Sequence, residues 1–396
     1  MNKKKIINDP IYGFINIPFE LVFDIIEHPY FQRLRRIYQV GMTNLIYPGA
    51  NHTRFHHTLG ALHLMWQSIQ HLRSKGILIS DEEAEASCLA ILMHDIGHGP
   101  FSHALEGVLI HQSHEDISLQ IMKEVNQKYE GDLDLAIEIF TGKYHRSFLH
   151  QLVSSELDVD RLDYLNRDSF YSGVVEGKIG TDRIIKMLNV VDNELVIEEK
   201  GLYSIEKFLM ARKIMYWQVY MHKTVLAAEK MLISAVERLK YLVVNASHLA
   251  PISIPLQHLL RHSHTDFQLQ DFLKIDDIDV LYALKQHEYW EDDLFSYLCE
   301  GLLNRRLFRT QLQTKAFAEA EMENIHTKVG DFLKIDRDLA EKLIFSGTET
   351  TQFYNDIPHQ IKFLMKDGRI LPFEEISELG ATNSQTKKHY LVYPKF

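Results

Sequence analysis

The chain has 396 residues, 45% of them hydrophobic, with 43 Lys plus Arg against 54 Asp plus Glu and a formal charge of −11. That apolar content supplies a large core, and a charged fraction of 24% with 11% aromatics excludes a disordered polymer. The acidic balance argues against a nucleic-acid partner, since that affinity grows from accumulated positive charge; Cys88 and Cys299, far apart, exclude a disulfide framework and a Cys-based zinc site.

The N-terminus is basic but lacks the apolar run of a signal peptide. No stretch approaches the roughly 20 apolar residues of a membrane span, so a cytoplasmic protein with no membrane partner is expected. Asn8, Asp9 and Pro10, then Tyr12 and Gly13, read as a turn before a short extended piece, FINIP. A helix is predicted from Phe19 to Ile26, and Pro29 opens another through FQRLRRI. After the Pro48–Gly49 loop, a third helix begins near Thr53 or Arg54, with Phe55, Leu59, Leu62, Met65, Trp66 and Ile69 at helical intervals. Ser80 and Glu83 have capping-box spacing. They open a helix so apolar from Ala84 to Met93 that it is buried on most sides, and Gly97, Gly99 and Pro100 end it.

Further helices are predicted at His114–Tyr129, Leu133–Phe140 and Ser155–Asp168, then a hairpin in VDNELVIEEKG, then one long helix from Tyr203 to about Val243. The segment 250–335 reads as helical, with a boundary loop from His262 to Asp266 and a basic patch of Arg305, Arg306 and Arg309. The phrase DFLKID occurs at Asp271–Asp276 and again at Asp331–Asp336, too short to define a repeat. IKFLM and HYLVYPKF read as strands, the second after a polar loop from Ala381 to Lys387. The expected class is mostly α: a helical core with small β-hairpin elements and a mixed α/β C-terminal region. The expected division is into residues 1–245 and 246–396.

Ten histidines fall between His52 and His114. His94 and Asp95 close the apolar helix. Adjacent residues diverge by about 100° around a helix, so one cation can take both only beyond its end. An unpaired carboxylate there would carry a heavy desolvation cost, which a cation removes. His57, near the start of an earlier helix, and Asp160, in SELDVDRLDYLNRD, are the further ligand candidates. Singly, His57 reads as a core histidine and Asp160 as an N-cap or solvated acid. Together with Gly97, Gly99 and His103 they favour one divalent ion, with Mn, Fe, Co, Ni, Zn and Mg all compatible with two imidazoles and two carboxylates.

The phrases INDPIYG, FQRLRRIYQVG, YPGANHTRFHHTLG, HDIGHGPFSHALE, DVDRLDYLNRD and VYMHK, in order from Ile7 to Lys223, resemble the HD superfamily. More narrowly they resemble its deoxynucleoside triphosphate triphosphohydrolase branch. The resemblance implies an HD-domain helical core with metal ligands His57, His94, Asp95 and Asp160. It implies that His98, His103 and His114 face the phosphates, with His103 as acid–base group near the α-phosphate. Arg54, Arg161 and Arg212 would contact phosphate or base, and Gln39, Tyr164 and Asp168 the sugar. Val40 would lie close to the sugar, with Tyr220 packed beside it. Lys5, Asn8, Gln32 and Arg35 match positions that bind an activating nucleotide between subunits, with Glu27 where the family has aspartate. Arg161 replaces a lysine and Val40 a leucine. The implied reaction releases deoxynucleoside and inorganic triphosphate, in a homodimer or homotetramer. Hydrolysis of a nucleoside monophosphate or cyclic nucleotide, and a catalytically quiet nucleotide sensor, stay open as alternatives.

Overall fold

A computed structural model describes residues 5–245, 251–262, 267–351, 361–378 and 386–396 of the protein. The expected boundary loop at His262–Asp266 and the polar loop at Ala381–Lys387 fall largely outside them.

The helical core follows the sequence pattern closely. Helices run over Glu20–Glu27, Arg54–Ser74, Asp81–Met93, His114–Lys128 and Asp134–Phe140. Ser80 accepts from the Glu83 N–H at 3.1 Å, and Glu83 returns the bond to the Ser80 N–H at 2.8 Å, so that capping box is formed. The Asp81–Met93 helix is buried from Ala86 through Met93, as a helix without a polar face must be. Its end delivers His94 and Asp95 into the interior.

Three expectations need correction. FQRLRRI is a short α-turn, Pro29–Gln32, that tightens into a 3₁₀ turn, Arg33–Arg36. The tightening turns Arg33 inward, where its buried guanidinium donates to Ile275 O at 2.7 Å and His98 O at 2.9 Å. The helix expected from Ser155 instead runs Val159–Ser172, because Asp158 is its N-cap and accepts from the Arg161 N–H at 2.8 Å. A separate helix, Ser147–Val153, precedes it. The long helix from Tyr203 is two: Leu202–Met215 and Lys223–Asn245. Between them Tyr216–Tyr220 widens to a π-turn, with the Met221 N–H donating to Tyr216 O at 2.7 Å. His222 Nδ1 then accepts from the Thr224 N–H at 3.1 Å and starts the second helix.

The strands are few. Ile6–Asp9 pairs antiparallel with Gly13–Asn16. The expected hairpin is Leu188–Val191 with Glu194–Glu198, and it is extended by Lys362–Leu364, parallel to Glu194–Glu198, and then Ile370–Pro372. A second C-terminal sheet has the order Arg309–Gln313, Thr386–Tyr393, Phe345–Thr351. One hydrophobic core includes Leu62, Leu92 and Leu165 together with Phe272, Phe295 and Phe363 from the C-terminal region, and a small satellite forms around Ile325 and Val329. The two DFLKID copies play the same local part, each ending in a helix N-cap: Asp276 for Asp277–Lys285 and Asp336 for Arg337–Lys342. Among the described residues no helix is long and apolar enough to cross a membrane.

Candidate metal and phosphate site

His56 and His57 are adjacent and do opposite jobs. His56 turns back to accept from the Thr53 N–H at 3.2 Å, which helps start the Arg54–Ser74 helix. One residue further around, His57 is fully buried. Its Nε2 lies 3.0 Å from Asp160 Oδ1, 3.4 Å from His94 Nε2 and 3.7 Å from Asp95 Oδ2. His94 Nε2 is 3.2 Å from Asp95 Oδ1 and 3.5 Å from Asp160 Oδ1.

These spacings match the edges of a coordination shell. Metal–nitrogen and metal–oxygen bonds of about 2.0–2.2 Å put neighbouring ligand atoms roughly 3.0–3.5 Å apart. His57, His94 and Asp160 form a group that could hold one ion. Asp95 lies beside it, but also accepts from Arg54 Nη1 at 2.6 Å and approaches His98 Nε2 at 3.1 Å. The imidazoles are oriented for ligation. His57 Nδ1 faces Asp163 Oδ2 at 2.8 Å and His94 Nδ1 faces Ile91 O at 2.6 Å. Acceptors at both Nδ1 atoms keep the protons there and turn the Nε2 lone pairs toward each other. The donor set therefore fits a divalent cation.

Electrostatics agree with the geometry. Burial pulls the His57 pKa down, but the bonds to Asp160 and Asp163 outweigh it and hold it at about 10. His94 is raised despite burial by Asp95 and Asp160. Burial opposes ionisation of Asp95 and Asp160, yet both lie well below the usual carboxylate range. His94 and Arg54 hold Asp95 there, and hydrogen bonds from His57 and His94 hold Asp160. A cation at these Nε2 atoms competes with protons for the same lone pairs.

Support for this cluster runs away from the cavity. Arg167 donates to both oxygens of Asp163 at 2.9 Å and to Asp9 Oδ2 at 2.8 Å, while Asp9 Oδ1 accepts from the Ile11 and Tyr12 N–H groups at 2.8 and 3.0 Å. His57 is thus connected through Asp163, Arg167 and Asp9 to the N-terminal hairpin.

Beside the cluster opens a cavity of about 430 Å³, lined by Gln39, Val40, Arg54, Asp95, His98, Ser102, His103, His114, Asp160, Tyr164, Asp168 and Tyr220 among others. Arg54 spans its wall, with Nη2 3.3 Å from His103 Nε2 and Nε donating to Ser102 Oγ at 3.1 Å. The walls around His103 and the Arg54 cation beside it lower its pKa to about 4, although its ring faces the open cavity. Burial and then Arg54 lower His98 well below its usual value; it stacks on His114 at 3.9 Å, and its Nδ1 has no hydrogen-bond partner among the described residues. His114 Nδ1 is 3.2 Å from Glu106.

On the other side Asp168 binds His52 Nε2 at 2.7 Å and the Tyr220 hydroxyl at 2.6 Å. Burial raises the Tyr164 hydroxyl to about 12, so it is neutral at physiological pH. Arg161 and Arg212 are not among the lining residues: Arg161 pairs with Asp158, and Arg212 Nη1 with Glu156 at 2.6 Å. Gln32 Nε2 donates to Ile26 O at 2.7 Å, and its Oε1 accepts from Arg35 at 2.8 Å. Arg35 lies over the Phe55 ring at 3.6 Å and Lys5 over Phe23 at 4.4 Å; Asn8 sits on the first strand and Glu27 ends its helix, both exposed.

Sequence reading missed Asp163, Arg167, His52, Ser102 and Asp277. Asp163 and Arg167 carried a signal, since they lie three and seven residues after Asp160 on one helix. Asp277 carried none, because its partners are long-range backbone groups.

The HD domain family matches residues 54–168, and the HD associated region matches residues 179–251. A phosphohydrolase from Bacteroides thetaiotaomicron has a crystal structure that superposes with a TM-score of 0.94 at 45% identity, over 99% of this chain and 100% of that one. An uncharacterized protein of Bacillus subtilis (strain 168), YwfO, is 33% identical over 78% of this chain and 72% of its own. The chain belongs to the HD-domain family. The site and these relatives define it further as an HD-superfamily phosphohydrolase. The human deoxynucleoside triphosphate triphosphohydrolase SAMHD1 is 32% identical over 264 residues, 55% of this chain but only 42% of that protein.

Proposed function

We propose that this phosphohydrolase depends on one divalent cation and hydrolyses deoxynucleoside triphosphates to deoxynucleoside and inorganic triphosphate. The observation that carries the reading is the convergence of His57 Nε2, His94 Nε2 and Asp160 Oδ1 within 3.5 Å beside a cavity walled by Arg54 and His103. Likeness to the human triphosphohydrolase named above supports the substrate class.

A divalent cation bound there lowers the pKa of water and polarises a phosphate oxygen. Arg54 offsets charge developing on the phosphates through a fixed guanidinium. Its donation to His103 Nε2 keeps the His103 proton on Nδ1. As water adds to the α-phosphorus and the P–O5′ bond breaks, His103 passes that proton to the departing 5′ oxygen and takes up the proton released by the water, so the ring ends neutral. His98 and His114 line the same phosphate wall. Tyr164, Asp168, Tyr220, Gln39 and Val40 take the sugar, with Tyr220 fixed by Asp168. Arg161 and Arg212 are held by Asp158 and Glu156 behind the cavity lining.

The test is incubation of metal-loaded protein with each deoxynucleoside triphosphate and chromatographic separation of products. Deoxynucleoside with intact triphosphate is expected; orthophosphate released from a monophosphate, or binding without product, overturns the proposal. Asp160→Ala and Asp95→Ala should each lose metal and turnover. A cytoplasmic homodimer or homotetramer, with a nucleotide activator bound by Lys5, Asn8, Glu27, Gln32 and Arg35, completes the proposal. Sedimentation with and without added nucleotide tests that part.

A further inference from the structure

The phosphate wall is built on an uncommon backbone. Phe101 and His103 both have left-handed φ, 45° and 72°, which residues with a Cβ avoid because it crowds the next carbonyl. Local sequence does not favour this loop, so distant groups must hold it. Arg33 holds its start through His98 O. Asp277, from the C-terminal region, holds its middle by accepting from the Phe101 N–H at 2.8 Å.

The other Asp277 oxygen accepts from the Tyr38 N–H at 2.7 Å. Tyr38 belongs to the opposite wall. It bridges to Thr53 and precedes Gln39 and Val40, while the Gln39 N–H donates to His52 O and the Arg54 N–H to Ile37 O, each at 3.0 Å. One carboxylate therefore ties the segment that delivers Arg54 to the loop that delivers Ser102 and His103.

Asp277 is 1% exposed, and among the described residues no ion pair engages it. It is not needed to cap its helix, because Asp276 accepts from the Ile278 N–H at 3.0 Å. Packing alone would favour an apolar residue, since a buried carboxyl group carries a desolvation cost. Two converging N–H donors require two acceptors with no donor between them, which a carboxylate supplies and an amide does not. Burial raises the Asp277 carboxyl to about 7 against the pull of the two N–H donors, so both oxygens are free acceptors above that pH.

We infer that Asp277 is a positioning residue for phosphate cleavage: it sets the spacing between the Arg54 wall and the His103 loop, so the C-terminal region completes the active site. The inference rests on the reading of Arg54 and His103 as phosphate-facing groups.

Asp277→Asn and Asp277→Glu are compared with Asp276→Asn in the full chain, using dATP with Mn²⁺ and hydrogen–deuterium exchange of peptides covering residues 98–104. Asp276→Asn removes an acid from the same helix start that bonds no backbone N–H of either wall, its partner there being the Arg36 side chain. A shift of the loop should lower kcat about 10- to 100-fold in Asp277→Asn with metal content unchanged, because misplacement of reacting groups by an ångström has that effect. Asp277→Glu, which keeps both acceptors, should recover part of it. Asp276→Asn should stay within about twofold of wild type in kcat, as a substitution acting on stability alone would. Exchange at 98–104 should quicken only in the Asp277 variants. Equal kcat in the Asp276 and Asp277 variants, or unchanged exchange at 98–104, overturns the inference. If wild type itself turns over no dATP, the proposed function fails, and the exchange comparison alone still decides the role of Asp277. Should Asp277→Asn not fold, the same two readouts on Asp277→Glu and Asp276→Asn decide it.

Discussion

Asp163 is not among the residues lining the cavity beside the cluster, yet it governs the tautomer and tilt of a candidate ligand. Its carboxylate is divided between His57 Nδ1 and the Arg167 guanidinium, and all three are fully buried. Replacing it by Asn leaves the size unchanged but offers an N–H where His57 needs an acceptor. Metal affinity of Asp163→Asn should fall about 10- to 100-fold, the usual effect of losing a partner behind a ligating histidine. Calorimetric titration of metal-free protein with Mn²⁺ checks this, and undiminished affinity would remove Asp163 from the ligand support. His103 bears on stability as well as chemistry. Its pKa is lowered to about 4 by the surrounding walls and by Arg54, against about 6.5 in an unfolded chain. Between those values the unfolded state binds more protons, so this contribution is complete above about pH 6.5 and is lost as pH falls toward 4. Urea titrations should show wild type losing more stability than His103→Gln on going from pH 7 to pH 4.5; parallel losses would mean the ring is not depressed. At this scale the sequence was informative where chemistry is concentrated. His94 and Asp95 end a helix with no polar face, and that contradiction marks a site. Asp163 and Asp277 stand among other acids in turn-like phrases, and nothing local separates a supporting carboxylate from a solvated one.

The Arg54–Ser74 and Val159–Ser172 helices approach closely because one residue lacks a side chain. A Cβ on Gly60 would lie 2.0 Å from Asp163 Oδ1 and 2.2 Å from Arg167 Nη2. Neither group can retreat, being buried and bonded on the far side. Gly60→Ala should therefore destabilise by about 1–3 kcal/mol, as overpacking of a filled interior does, and should weaken the metal site as well. Urea denaturation and metal titration of one preparation check both; a stable variant with normal affinity would show that the helices can part. Periodicity and caps made most helices readable: Ser80 with Glu83, and the apolar intervals from Phe55 to Ile69. They failed at Tyr216–Tyr220, where no Pro or Gly announces a break. The apolar pattern continues through the π-turn, and what the extra residue changes is where Tyr216 and Tyr220 face. The inward turn of Arg33 was equally hidden, since its partners are carbonyls 65 and 242 positions away.

Across the whole molecule, a ligand that binds only the folded chain must stabilise it. Mn²⁺ at about 100 times its dissociation constant should add about 2.7 kcal/mol. Thermal melts with and without chelator should therefore differ for wild type and coincide for Asp160→Ala; a wild-type Tm indifferent to every divalent ion would speak against the metal site. The same integration explains why composition and local pattern described the N-terminal half better than the rest. Lys362–Leu364 and Ile370–Pro372 extend a sheet begun at Leu188, and Ile275 and Asp277 bond to segments near the start of the chain. Pairings over such separations leave no short-range trace. The Asp9–Arg167 link has a practical corollary for anyone cloning this enzyme. The HD domain match starts at Arg54, so a fragment trimmed to that border discards Asp9, strands a fully buried guanidinium with half its counter-charge, and unsettles Asp163 behind His57. An inactive fragment of that kind would report on where the gene was cut and say nothing against the chemistry of the intact chain.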